Sequence, residues 1–234
     1  MLIASNLSEK NIEMIREFAT KYNVLWKAEF PFQVRQIDGS VNRLSFSGCT
    51  PPDLQQDKNQ KYILIIRQQD GWCKRTVKYL YALAYGAWIV SIDWIENCLK
   101  EGQILHPSAY EIKGDSKTQV LNAPRISRLA HEKGNHGIFT NIFFLIKIQE
   151  SRNGIPLNIL IDLLQRCGCV QDFKDVSLRG KGMRIIEVVD RLTSHSSNDV
   201  VTVDMLLNCI GSWKGLYDVC FIKMYIRNIN TKDE

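Results

Sequence analysis

The run Lys61-Tyr62-Ile63-Leu64-Ile65-Ile66 is the strongest strand signal in the chain. Its apolar residues are consecutive rather than alternating, the pattern of a strand covered on both faces. Such strands belong to parallel sheets, whose crossover connections lay helices over the faces. The neighbouring sequence supplies the rest of such a fold. Leu2 to Ser5 reads as another buried strand. Ser8 is a helix N-cap, with Ile12, Ile15, Phe18, Ala19 and Tyr22 at helical spacing behind it. Val24 to Ala28 reads as a further strand. A helix is expected from about Cys73 to Ala84, then a short strand, Trp88-Ile89-Val90. A last helix carries Trp94, Ile95, Cys98 and Leu99 and stops at Gly102. The order β-α-β-β-α-β-α predicts an α/β fold with a central, largely parallel sheet flanked by helices. The stretch from about Pro31 to Gln60 has Gly39, Gly48 and Pro51-Pro52 but no periodicity, and reads as a long surface insertion.

The pattern recurs weakly further on. From about His106 to Gly137 the chain turns polar, with Pro107, Pro124, Arg125, Arg128 and Lys133, and reads as a linker. Phe143 to Ile148 then reads as a strand and Ile155 to Cys167 as an amphipathic helix. A short strand is expected after the Cys167-Gly168 turn, and another at Met183 to Val189. Val200-Val201-Thr202, followed by Met205, Leu206, Cys209 and Ile210, repeats the strand-helix ending of the first half. Asp190 to Asp199 is too polar and short for the missing helix. The division is residues 1–105, linker 106–137, a degenerate second copy 138–228 and a tail 229–234. With 234 residues, 45% of them hydrophobic, two domains of about 100 residues each are an ordinary outcome.

Several chemistries have no support in the residues. The seven cysteines are odd in number and include no C-x-x-C; they read as reduced thiols in a cytosolic or nuclear protein. Cys167-Gly168-Cys169 has the wrong spacing for zinc, so no metal or cofactor is expected. No G-x-S-x-G, H-E-x-x-H or phosphate-loop motif occurs, so the chain does not read as an enzyme. No run of about 18 apolar residues exists for a membrane span. The net charge of +5 fits an acidic or phosphorylated partner and is small for a dedicated nucleic-acid binder.

One cluster does point to chemistry. Arg75 and Lys78 lie three apart, on one face at the start of a helix, where the backbone dipole favours anions. With Thr76 between them and Ser5 at the end of the first strand, they outline a phosphate pocket with no catalytic group. The plainer reading makes Lys78 a solvated lysine, Arg75 a partner for Asp204 and Ser5 the cap of a turn. Trp26, Trp72, Trp88 and Trp94 read as packing residues, and Arg179 to Arg184 as a solvated basic loop. His131 and His136 read as surface residues.

Gly86 followed by Trp88-Ile89-Val90-Ser91-x-x-Trp94-Ile95 resembles the signature of a BRCT repeat. Two such repeats joined by a linker resemble a tandem BRCT module. Ser5-Asn6-Leu7, Arg75 to Tyr79, Tyr110 to Asp115 and Ile155-Pro156 carry the likeness, and Ala123 to Arg128 in the linker adds to it. The resemblance implies two repeats, each a small parallel sheet flanked by helices, packed head to tail through a helical interface. It implies binding of phosphoserine peptides with an aromatic residue three positions on, in a nuclear DNA-damage-response and repair protein. By the same resemblance Ser5, the Asn6 N–H, Thr76 and Lys78 hold the phosphate. Arg75 holds the peptide main chain, and Leu80, Ile155 and Leu207 line the aromatic slot. Relatives of this kind carry a RING ubiquitin-ligase domain elsewhere and pair with a second RING-BRCT protein. The signature tryptophan of the second repeat is Met205 here, Asn6 stands where the family has glycine, and Val203 and Gly154 remove polar groups near the slot. The alternatives are a phosphate-independent protein scaffold and a weak DNA or polyanion binder.

Overall fold

The computed structural model of the chain describes residues 1–30, 61–135, 137–148, 155–170, 182–193 and 199–216. The insertion at 31–60, Cys49, His136, Gly154, Arg179 to Lys181, Cys220 and the tail 229–234 lie outside the described residues.

The first sheet contains β1 (Leu2–Ser5), β2 (Trp26–Lys27), β3 (Ile63–Ile66) and β6 (Trp88–Ser91), in the order β2-β1-β3-β6. All its pairings are parallel, with Ser5 opposite Ile66 and Ile66 opposite Ser91. Successive residues face opposite sides, so each apolar strand feeds two cores. On one side Leu2, Ala4, Ile65 and Val90 meet Ile15 and Phe18 of α1 (Glu9–Lys21) and Trp94, Ile95 and Cys98 of α3 (Asp93–Glu101). On the other, Ile3, Leu64, Ile66 and Ile89 meet α2 (Val77–Ala84). Ser8 caps α1 by accepting the Asn11 N–H, and Gly102 ends α3 in the left-handed conformation.

The helix expected from Cys73 begins instead at Val77. Cys73 belongs to β5 (Trp72–Cys73), which forms a hairpin with β4 (Gln68–Gln69). The turn between them is Asp70-Gly71, with φ +53° and +88°, the Asp-Gly pair that a two-residue hairpin favours. The linker also differs from expectation. It holds a 3-10 turn (Pro107–Tyr110), β7 (Gly114–Asp115) parallel to β5, and a helix, α4 (Ala123–Glu132). Polar residues hid that helix because two of them are buried: Ser127 donates to the Leu83 carbonyl at 2.6 Å, and Arg128 pairs with Glu111 and Glu132.

The second sheet is parallel, in the order β10-β9-β8, from β8 (Ile142–Ile146), β9 (Arg184–Val189) and β10 (Val200–Thr202). Its helices are α5 (Leu157–Arg166) and α6 (Val203–Ser212), the latter capped by the Thr202 hydroxyl. Past the Cys167-Gly168 turn, the Val170 N–H donates to the Ile142 carbonyl at 2.8 Å. Helix α2 packs against α4, α5 and α6, and one apolar cluster runs from the first sheet through these helices to the second. No described helix is long and apolar enough to cross a membrane, and no group of metal-ligating side chains occurs among the described residues.

Candidate functional site

Ser5 ends β1, and α2 starts beside it, so the carboxyl end of a parallel strand faces a helix N-terminus. Both features are common settings for anionic ligands. Thr76 is extended and caps α2, its Oγ1 accepting the Tyr79 N–H at 3.1 Å. The same oxygen lies 2.9 Å from Ser5 Oγ. Lys78, in the first turn, donates from Nζ to the Ala4 carbonyl at 3.1 Å. Its ammonium also pairs with Glu29 at 3.1 Å. Asn6 follows Ser5 with φ +55°, a left-handed conformation that asparagine adopts more readily than most residues. The structure therefore brings Ser5, Thr76 and Lys78 together, with Asn6 at the rim. The arrangement offers hydroxyls, an ammonium and a helix N-terminus to an anion.

Arg75 precedes Thr76 and points into the protein. Its Nε donates to Asp115 Oδ1 at 3.1 Å and its Nη1 to Asn208 Oδ1 at 2.8 Å. Nη2 lies 3.0 Å from Asp115 Oδ1, and the two side chains are 8% and 0% exposed. Asp115 also accepts the N–H groups of Lys117 and Thr118 and the Thr118 hydroxyl. A buried ion pair is tolerable when its remaining lone pairs are satisfied in this way. The pairing of Arg75 with Asp204 is corrected: Asp204 pairs with Lys117 at 3.1 Å instead. Gly211 of α6 makes room for the pair, since a Cβ there would stand 2.9 Å from Arg75 Nη2 and 3.0 Å from Asp115 Oδ2. Tyr79 donates its hydroxyl to the Gly211 carbonyl at 3.2 Å. Burial, reinforced by the negative charge of Asp115, raises the Tyr79 hydroxyl well above its ordinary pKa and pushes the Cys73 thiol up to about 12.

Leu80, Ile155 and Leu207 are all buried in the cluster that joins the two halves, with Val203 beside them. They belong to α2, the residue pair ahead of α5, and α6.

Several engaged residues escaped the sequence reading. Glu29 and Asn208 carry no local signal. Asp115 was visible only as part of the linker likeness, without a role. Arg128 makes a two-pronged pair with Glu111 at 3.1 and 3.2 Å, a contact to Glu132 at 3.0 Å, and lies 3.6 Å above the Trp88 ring. His131, read as a surface residue, is inserted at the end of α2. Its Nε2 lies 3.1 Å from the Ala84 carbonyl, its Nδ1 2.9 Å from the Ser127 carbonyl, and its ring centroid 5.1 Å from that of Trp213. Gly86, with φ +60°, leaves the space: a Cβ there would sit 2.5 Å from the imidazole.

Comparison with known proteins places this architecture. Residues 55–112 match the family model described as the Regulator of Ty1 transposition protein 107 BRCT domain. The breast cancer type 1 susceptibility protein homolog of Mus musculus is 26% identical over 168 residues, covering 71% of this chain and 8% of that protein. The Arabidopsis thaliana protein BREAST CANCER SUSCEPTIBILITY 1 homolog is 31% identical over 90 residues, covering 38% of this chain and 10% of its own length. The match thus spans a tenth or less of each relative. Among solved structures, the BRCT5-BRCT6 domains of S. pombe Brc1 superpose with a TM-score of 0.51 at 14% identity, covering 92% of this chain and 93% of that one.

Proposed function

We propose that this chain, which is a tandem BRCT module and a binding unit rather than an enzyme, recognises phosphoserine peptides. The convergence of Ser5, Thr76 and Lys78 at the N-terminus of α2 carries the reading. Ser5 and the Asn6 N–H donate to the phosphate, and Lys78 supplies charge-assisted hydrogen bonds, the strong kind. The partners are phosphorylated proteins of the DNA-damage response, and the compartment is the nucleus, as the relatedness to the susceptibility-protein homologs suggests. The same relatedness supports a longer protein that pairs with a second RING-BRCT protein. Selection of an aromatic residue three positions after the phosphoserine rests on Leu80, Ile155 and Leu207 in the seam between α2, α5 and α6. Arg75, which the family resemblance assigns to the peptide main chain, has its guanidinium bound to Asp115 and Asn208 and contributes instead by holding that seam together.

Titration of a fluorescent phosphoserine peptide with Phe at the third following position, against its unphosphorylated twin, tests this. Phosphate-dependent binding that Lys78→Met weakens by at least about tenfold is expected, as for loss of a charge-assisted hydrogen bond. Equal affinity for the two peptides overturns the phosphate reading. Equal affinity for Phe and Ala at the third position overturns the slot alone. A phosphate-independent scaffold has one observation in its favour, the ion pair that Lys78 already makes with Glu29.

A further inference from the structure

We infer that Glu29 is a selectivity residue of the phosphate pocket, favouring phosphoserine peptides that carry a lysine or arginine next to the phosphorylated residue. The inference rests on the phosphoserine reading above and deepens it. Lys78 Nζ has three donors; one is spent on the Ala4 carbonyl and another on Glu29 Oε1, each at 3.1 Å. The pocket's ammonium is therefore neutralised by a carboxylate of the same chain. Arg75, the neighbouring cation, is turned into the protein by Asp115 and Asn208. A phosphoserine brings a charge of about −1.5 to −2 at neutral pH. Entering beside Lys78, it meets the Glu29 carboxylate well within a Debye length of about 8 Å.

A single movement resolves that conflict. Glu29 side chain is 53% exposed and Lys78 side chain 26%, so the carboxylate can rotate into solvent when phosphate takes the ammonium. It then remains at the rim, close to the residues that flank the phosphoserine. A peptide lysine or arginine there gives Glu29 a new counter-ion, so binding exchanges one ion pair for two. A peptide glutamate at the same place faces Glu29 as a like charge. Glu29 thus discriminates by the sign of the flanking charge without touching the phosphate.

The test uses phosphoserine peptides of one sequence with Arg, Ala or Glu immediately before the phosphoserine, and a second set with the change immediately after. Binding of each to the parent chain and to Glu29→Gln is measured by fluorescence anisotropy at low and high salt. In at least one set the parent is expected to prefer Arg over Glu by about two- to fivefold, the range of an exposed ion pair. Glu29→Gln is expected to bind the Ala peptide more tightly and to lose most of the Arg-over-Glu preference, and high salt to erase the difference between the proteins. Phosphate-dependent binding with the same preference in parent and variant overturns the role of Glu29 and leaves the pocket standing. Loss of phosphate dependence in both proteins overturns the pocket and the inference with it.

Discussion

The four-stranded first sheet and the β10-β9-β8 sheet of the second half are covered in different ways. The first has a core of its own: α1 and α3 close one face, with Ile15, Phe18, Trp94 and Ile95 packed on Leu2, Ala4, Ile65 and Val90. Helix α2 closes its other face. The described helices of the second sheet bury Leu160, Leu163, Leu164, Leu206 and Ile210 in the cluster that also holds Tyr79, Leu80 and Leu83 of α2. One half therefore owns a core and lends a helix, while the other completes its core with that helix. The loan is secured by polar groups, Arg75 and Tyr79 of the first half reaching Asn208 and Gly211 of α6, with the linker's Asp115 between them. Dependence of this kind follows from area: a small sheet must bury apolar surface somewhere to offset chain entropy.

Dividing the chain is the harshest way to break this comparison. Residues 1–135 alone are expected to keep a cooperative urea transition, weakened by exposure of α2. Residues 138–228 alone are expected to show none by circular dichroism. A second half that unfolds cooperatively by itself would show that its core does not need α2.

A smaller effect comes from the polar fastening. Asp115→Ala strands the buried Arg75 guanidinium and frees the Lys117 and Thr118 donors, and should cost about 3–5 kcal/mol. Chemical denaturation followed at both halves would show them losing stability together. A loss confined to one half would mean that the pair serves only local structure.

Gly211→Ala sharpens the same point with one methyl group. Alanine favours a helix over glycine by about 1 kcal/mol, so an unobstructed site would be stabilised. Here the Cβ meets Arg75 and Asp115, and overpacking should turn the change into a loss of about 1–3 kcal/mol. A rise in the thermal midpoint would show that the approach of α6 to Arg75 is looser than the geometry requires.

Much of the first half was legible because its signals are local. Consecutive apolar residues in Ile63–Ile66 mark a strand buried on both faces, and Ser8 and Gly102 mark helix ends through their own backbone chemistry. The Asp70-Gly71 hairpin is equally local, and its second strand takes up Cys73, where the expected helix was to start. Helix α4 was illegible because Ser127 and Arg128 are polar residues used as buried ones, a choice that depends on Leu83, Glu111 and Trp88 being in place. Of the candidate site, Ser5, Thr76 and Lys78 were named and are found together, whereas Glu29 was not.

The sequence by itself determined which residues share a face. Period-two and period-3.6 placement is a property of a few adjacent residues, so most strands and helices could be read directly, whereas the face expected to be shared by Arg75 and Lys78 is not formed, because the helix starts at Val77 and leaves Arg75 ahead of it. Only the tertiary structure decided what each charge meets. Arg75 has Asp115 and Asn208 rather than Asp204, and Lys78 has Glu29, because crossovers and the packing of α2 against α6 set those distances. An ion pair depends on separation in space, falling off within angstroms, and its partners here are remote in sequence. Local pattern carries no term for that separation, so Ser5, Thr76 and Lys78 could be singled out while the counter-ion of Lys78 could not.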